Sequence, residues 1–272
     1  MVSNTKLTKK QLAQKLNVSV SSLYYVHKKP TEDLRVKSLI EEVLFHNPSY
    51  GHRRIALALK LNKKRILRVM KKYSIKPFRR RTKRLIKQND LNKPKTKYQN
   101  LIKSPDAKVD KPNFVWVTDF TYIKYKSRFI YLATAEDLFT REIVGINISR
   151  FHNKQLVIGA LCDALLDYPP PHIIHSDQGS EYDSNAYYTF VEQLNIKVSM
   201  SNKASPWENG YKESFYSNFK LELGDVDRFD DMGELIETIY QQIYYHNNKR
   251  IHTSLKTTPA KYRESFYEKM GT

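Results

Sequence analysis

Three carboxylates in this chain have the types and spacing that could do chemistry. Asp119 lies inside the apolar run Phe114-Val115-Trp116-Val117-Thr118-Asp119-Phe120, Asp177 in His175-Ser176-Asp177-Gln178-Gly179-Ser180-Glu181, and Glu213 in Glu208-Asn209-Gly210-Tyr211-Lys212-Glu213-Ser214-Phe215. The pattern places the two aspartates at strand ends and the glutamate on a helix. Magnesium takes hard oxygen ligands and keeps several waters, so a few carboxylates converging beside a substrate phosphate make a site without a dedicated protein cage. Two such ions activate a nucleophile and steady the leaving oxygen of an in-line phosphoryl displacement. The trio therefore points to chemistry on a nucleic-acid backbone. Each acid alone also has an ordinary reading. Asp177 before Gln178-Gly179 suits a turn or a helix cap, and Glu213 suits a solvated helix face, with Glu208 as its rival. Asp119 is harder to dismiss, because an unpaired charge among the apolar residues of a strand is expensive to bury.

The charge distribution names the same partner independently. The chain has 47 Lys and Arg against 28 Asp and Glu. Residues 1–111 hold 30 basic and 7 acidic side chains, and residues 112–272 hold 17 and 21, so the net of +19 is +23 in the first part and −4 in the second. A polyanion-binding front half joined to a near-neutral domain fits this asymmetry. Basic surfaces bind DNA by releasing condensed counterions, a salt-sensitive and largely sequence-independent term.

The elements that must position the trio change character along the chain. Residues 7–25 read as a helix-turn-helix: Thr8 caps a helix whose apolar face carries Leu12, Ala13 and Leu16, and Ser19 caps a second carrying Leu23. A helical block follows from Asp33 to Tyr73, broken at Asn47-Pro48-Ser49-Tyr50-Gly51, with Asn62 capping a last helix. Residues 61–87 contain 13 basic residues and no acidic one, which suits a surface lying along phosphates. The expected DNA contacts there are Arg53, Arg54, Lys63, Lys64, Arg65, Arg68, Arg79, Arg80, Arg81, Lys83 and Arg84. The divisions expected are a helix-turn-helix-like segment over 1–30, a basic helical domain over 31–87, a linker over 88–112, a catalytic core over 113–225 and a helical segment over 226–272.

From residue 113 the periodicity is that of strands. Runs at Phe114–Ile123, Phe129–Ala135 and Arg141–Ser149 precede a helix from Asn153 to about Asp167, a strand His172–His175, a helix near Ser184–Leu194, a strand Lys197–Met200 and the helix holding Glu213. Three antiparallel strands followed by alternating helices and strands is the order of a ribonuclease-H-like domain, an α/β fold with a mixed five-stranded sheet. The single Cys162 sits in an apolar stretch, where a buried, inert thiol is expected. One cysteine excludes a disulfide framework and any zinc finger needing two thiolates. The polar start and the lack of a long apolar run indicate neither secretion nor a membrane span, and a cytoplasmic setting, on the nucleoid when DNA-bound, fits best.

The segments Trp116–Tyr122, His175–Tyr182 and Asn209–Lys220 resemble the catalytic core of second-frame transposases of the insertion-sequence three (IS-three) family, relatives of retroviral integrases. Thirty-five residues separate Asp177 from Glu213, the spacing of that superfamily's acidic triad. Residues 47–55 resemble the family's helical N-terminal element, and 245–260 its C-terminal signature, so the resemblance covers nearly the whole chain.

The resemblance implies an enzyme that cleaves the ends of its own mobile element and joins them to target DNA through a 3′-hydroxyl. Asp119, Asp177 and Glu213 would bind two Mg²⁺ or Mn²⁺ ions. Lys220, seven residues after Glu213 and on the same helix face, would hold a substrate phosphate. It further implies DNA-bound multimers and an upstream-frame protein or fusion partner, since no sustained heptad run is present here. Around this frame, His175 and Gln178 shape the site or bond locally, Glu181 and Asp183 read as surface acids, and Trp207 and Tyr211 have faces on which bases could stack, with core packing an equal reading for Trp207. His246, Asn247, Lys249, Arg250 and His252 could approach DNA, while helix capping accounts equally for Asn247 and Asn248. Two other classes stay open: a nuclease of the same fold that hydrolyses without joining, and a non-catalytic DNA-binding regulator.

Overall fold

The computed structural model describes residues 7–24, 29–78, 98–103, 108–179, 181–182, 184–201 and 210–271. Helix α1 (Lys9–Lys15) opens on the expected cap: Thr8 accepts from Gln11 N, and the Gln11 side chain accepts from Thr8 N at 2.9 Å. The second helix of the pair is only a five-residue 3₁₀ turn, Val20–Tyr24. Of the expected apolar face Ala13 is buried, whereas Leu12 and Leu16 are exposed. Two such short elements have too little surface to close over a leucine.

Helices α2 (Lys29–His46), α3 (His52–Ala58) and α4 (Lys63–Lys72) enclose a second core around Ile40, Ile55, Ile66 and Val69. Asn62 caps α4 by accepting from Lys64 N at 2.8 Å, as its position suggested. The basic face of α4 is less open than its charge implied. Arg68 donates to both oxygens of Asp33 at 2.8 and 2.5 Å, Lys72 joins at 2.9 Å, and Arg65 reaches Glu32 at 3.1 Å. Hydrogen bonds from Arg68 and then Lys72 hold the Asp33 carboxyl far below the usual carboxylate range. Arg65 and Arg68 are thus turned onto acids of α2, while Lys63 and Lys64 face solvent.

The remaining chain builds one five-stranded sheet. Strands β1 (Val115–Tyr125), β2 (Arg128–Asp137) and β3 (Ile143–Ser149) form an antiparallel meander, and β4 (Ile173–Ser176) and β5 (Lys197–Met200) follow in parallel, in the order β3-β2-β1-β4-β5. Bringing β4 parallel to β1 needs a crossover, supplied by α5 (Lys154–Asp167), and α6 (Asn185–Gln193) joins β4 to β5. This is the expected ribonuclease-H-like order.

Both faces of the sheet are covered. Ala133 and Ala135 of β2 pack toward α5 and α6, while Ile130 and Leu132 pack toward α7 (Gly210–Leu223) and α8 (Met232–Asn248). A bulge where Ala135 pairs Gly145 but Glu136 pairs Ile143 puts one extra residue in β3, so Ile143 and Ile146 share a face. A Cβ on Gly145 would stand 2.2 Å from the Ala160 carbonyl oxygen, so only glycine lets α5 sit this close. Helix α9 (Pro259–Met270) completes the chain against α8.

Two readings are corrected here. Cys162 is exposed, because α5 turns Leu156, Val157, Ala160, Leu161 and Ala164 inward and the thiol outward. Residues 98–103, placed in the linker, pack on the core: Leu101 N donates to Ser199 Oγ at 2.9 Å and Tyr98 lies 4.9 Å from the Tyr188 ring. Among the described residues no helix is long and apolar enough to cross a membrane.

Candidate active site

Register brings the two aspartates together. Strands β1 and β4 are parallel neighbours with Val117 opposite His175, so two residues further on Asp119 and Asp177 neighbour each other where the parallel pairing stops. Asp177 lies just past the end of β4 as expected, whereas Asp119 sits within β1, opposite Thr134 of β2, and not at a strand end. Ligands bind at this edge in open α/β sheets. Asp119 Oδ1 accepts from Phe120 N at 2.8 Å, and Asp177 Oδ1 accepts from Gly179 N at 3.0 Å.

Electrostatics record the proximity. Burial first, and the charge of Asp177 second, push the Asp119 carboxyl up to about 7, with Glu213 adding a smaller push. Asp177 is also raised, by burial and then by Glu181. Two partly buried carboxylates that resist ionising together have the donor chemistry of a divalent-cation site, since a bound ion inverts that preference.

Glu213 lies on the first turn of α7 and is exposed. It stands near enough to act on Asp119 but does not close on the pair, and among the described residues no three acidic, histidine or cysteine side chains are gathered tightly enough to hold an ion. Lys220 shares its face of α7 and extends over the exposed Tyr122 ring of β1, 4.6 Å from the centroid.

Beneath the acids lies a buried polar layer that sequence reasoning missed. Lys212 is 0% exposed, donates to Thr134 Oγ1 at 2.8 Å and lies 3.7 Å from Glu136. Burial pushes its ammonium down to about 8, against the pull of Glu136 and Asp119. Tyr216, one turn later, donates to the Asp119 carbonyl at 2.6 Å and lies 2.9 Å from Thr134 Oγ1. The signal was the spacing Lys212-x-x-x-Tyr216 on the inward face of α7, but nothing local says that a lysine at the first of these positions points inward.

The neighbouring polar residues sort clearly. His175 is buried with Nδ1 2.8 Å from Ser199 Oγ, and Gln178 donates to the Ser201 carbonyl at 3.0 Å. Glu181, read as a surface acid, is 7% exposed and lies 2.9 Å from His152 Nδ1. Asn247 neither caps a helix nor faces outward: it accepts from Ile143 N at 2.9 Å and donates to Ile143 O at 2.8 Å, completing the edge of β3. His246, driven down to about 3 by burial, lies 3.1 Å from the Arg141 carbonyl. Arg250 is 3% exposed and donates through Nε to both oxygens of Glu222 at 2.9 and 3.1 Å, so its guanidinium faces inward and not the protein surface. Arg54 is drawn inward beside it, while Arg53 and Lys249 are exposed. Arg79, Arg80, Arg81, Lys83, Arg84, Asp183, Trp207 and Glu208 lie outside the described residues.

Comparison with known proteins agrees with this architecture. Models of the integrase core domain match residues 109–206 and 194–259. The chain is 30% identical over 269 residues to the candidate transposase InsK of insertion sequence element IS150 from Escherichia coli K12, covering 94% of each chain. It is 32% identical to a 31 kDa protein of insertion element IS600 from Shigella sonnei, covering 94% of this chain and 99% of that one. A cryo-electron-microscopy structure of a simian T-cell lymphotropic virus intasome, bound to a PP2A regulatory subunit, shares the fold at a TM-score of 0.51 and 18% identity, covering 83% of this chain and 74% of that one.

Proposed function

We propose that this chain, which belongs to the insertion-sequence three (IS-three) family of transposases and carries their integrase core, cleaves element ends and joins them to target DNA by divalent-cation-dependent phosphoryl transfer. The observation that carries the reading is the proximity of Asp119 to Asp177 just beyond the Val117–His175 pair of β1 and β4, where the charge of Asp177, and to a smaller extent that of Glu213, raises the Asp119 carboxyl. These three residues would hold the metal, and two ions so held would activate the attacking hydroxyl and steady the leaving oxygen.

The chain's own groups divide the remaining work. Tyr216 fixes the Asp119 backbone from below, and the Lys212 ammonium favours the ionised form of its carboxylate. Glu213, exposed on the first turn of α7, would complete the ligand set. Lys220 offers a cation on the Glu213 side of α7 to a substrate phosphate, and Arg53, Lys63, Lys64 and Lys249 are the exposed basic residues suited to track duplex backbone. Holding two element ends at once calls for a multimer on DNA, with an upstream-frame protein or fusion supplying further end recognition.

The test is a joining assay with a pre-cleaved labelled element end, a target plasmid and Mg²⁺. Joined product from a 3′-hydroxyl end, absent from a 3′-deoxy end, is the expected result. Nicking of either DNA without joining would replace the transposase reading with a nuclease, and binding with no product under any metal would leave a regulator.

A further inference from the structure

Each residue turns an α-helix by about 100°, so Tyr211, Asn218 and Glu222 stand roughly half a turn from Glu213 and Lys220 on α7. That opposite side lines a cavity of about 220 Å³ where three regions meet. Arg54 enters from α3, Arg141 from the turn between β2 and β3, and Arg250 and His252 from the segment after α8. The mouth carries exposed Ser214 and Ser254, and the floor is closed by buried Phe215 and Phe219.

Two acids reach this cavity and both are engaged. Glu222 accepts from Arg250 at 2.9 and 3.1 Å and from Ser49, and Glu136 lies 3.7 Å from Lys212 and 3.9 Å from Arg141. Donor capacity is left over. Arg54 Nε, Arg141 Nη1 and Arg250 Nη2 are buried without a hydrogen-bond partner, as are His252 Nδ1 and Glu136 Oε2. Arg250 is 3% exposed and cannot turn to water, and Arg54 makes no ion pair within 4.0 Å among the described residues. Burial, then the positive charge of Arg250, pushes Arg54 down to about 10, a large displacement for a group that stays charged in nearly every setting.

Buried guanidinium N–H groups without acceptors are costly, and an oxyanion offering several acceptors to planar forks is the ligand that satisfies them. We propose that this cavity binds a phosphate dianion, free or as a monoester, through Arg54, Arg141 and Arg250, on the side of α7 opposite the acidic trio. Its three arginines come from the helical front domain, the sheet and the C-terminal segment, so the bound anion pins these regions together. The site is independent of the phosphoryl-transfer reading, and its test needs neither metal nor reaction.

Thermal unfolding of the full chain in EDTA, at constant ionic strength, with inorganic phosphate replacing chloride, measures it. A ligand that binds only the folded state raises Tm with concentration, by about 3 °C at ten times the dissociation constant. The expected result is a saturable rise specific to phosphate, retained in R53Q on the exposed neighbour and lost in R54Q and R141Q, each first shown to unfold cooperatively in chloride. No rise of phosphate over chloride, or the full phosphate-specific rise in both R54Q and R141Q, overturns the site. Competition against the bound phosphate by short duplexes then identifies the source. Displacement by a 5′-phosphorylated duplex and not by its 5′-hydroxyl counterpart supports the site and assigns it to a DNA end, whereas displacement only by small phosphate esters supports it as a free-anion site.

Discussion

The two sides of α7 are opposite in sign and alike in construction. On one, Asp119, Asp177 and Glu213 gather negative charge at the carboxyl edge of the sheet, and Asp119 is held protonated up to about pH 7. On the other, Arg54, Arg141 and Arg250 gather positive charge over a closed apolar floor, with N–H groups that find no acceptor. On the proposed reading, each side takes an ion of the opposite sign. Between them lie Lys212 and Glu136, a buried pair at 3.7 Å, of which Lys212 acts on Asp119 and Glu136 lines the arginine cavity. A single helix can thus serve a cation site and an anion site because its faces alternate within one turn.

The comparison breaks first at the acids. If Asp119, Asp177 and Glu213 hold the metal as proposed, replacing any one by its carboxamide removes a ligand worth several kcal/mol of transition-state stabilisation, so joining should fall by about 10³-fold or more while DNA binding persists. Next comes the divider. Lys212→Ala leaves Glu136 buried without its closest cation and should destabilise the fold by about 3–5 kcal/mol in denaturant titration. If Lys212→Ala instead unfolds like the parent chain, Glu136 does not depend on this lysine for its place in the core.

The pH dependence sharpens the acidic side. The carboxyl of Asp119 is raised from 3.8 to about 7 in the folded chain, so the fold binds the extra proton. The stability this proton supplies is complete below 3.8 and is lost as pH rises through about 7. Metal-free protein should therefore lose Tm across that window, Asp119→Asn should lose less, and Mg²⁺ affinity should climb until about pH 7 and then level off. Smaller effects follow. Tyr216→Phe removes the hydroxyl that bonds the Asp119 carbonyl and should cost about 1 kcal/mol. Lys220→Ala should lower the slope of log affinity against log salt by about one, as for a single phosphate contact.

Much of the fold was legible because strands and caps are local. Alternating runs located the first three strands, and Thr8 and Asn62 cap the helices their sequence positions indicated. The acids were legible for a different reason: a charge inside an apolar strand needs an explanation, and the resemblance to a known family gave one. What escaped the sequence depends on partners far along the chain. Arg68 finds Asp33 and Arg250 finds Glu222, so a count of basic residues overstated the open phosphate-binding surface. Asn247 looked like a cap until it met the edge of β3, and Glu181 looked like a surface acid until His152 covered it. Lys212 sat in plain view one residue before Glu213, but only the packing of α7 on the sheet shows that it is buried.

The central claim is that Asp119, Asp177 and Glu213 hold the metal that drives strand joining. It is tested most directly by the yield of joined product as a function of Mg²⁺ concentration, for the parent chain and for Asp119→Asn, Asp177→Asn and Glu213→Gln on the same 3′-hydroxyl end. A Mg²⁺-dependent product in the parent and none in any variant at any Mg²⁺ concentration is the predicted result. Parent-level joining by any one of the three variants would contradict it.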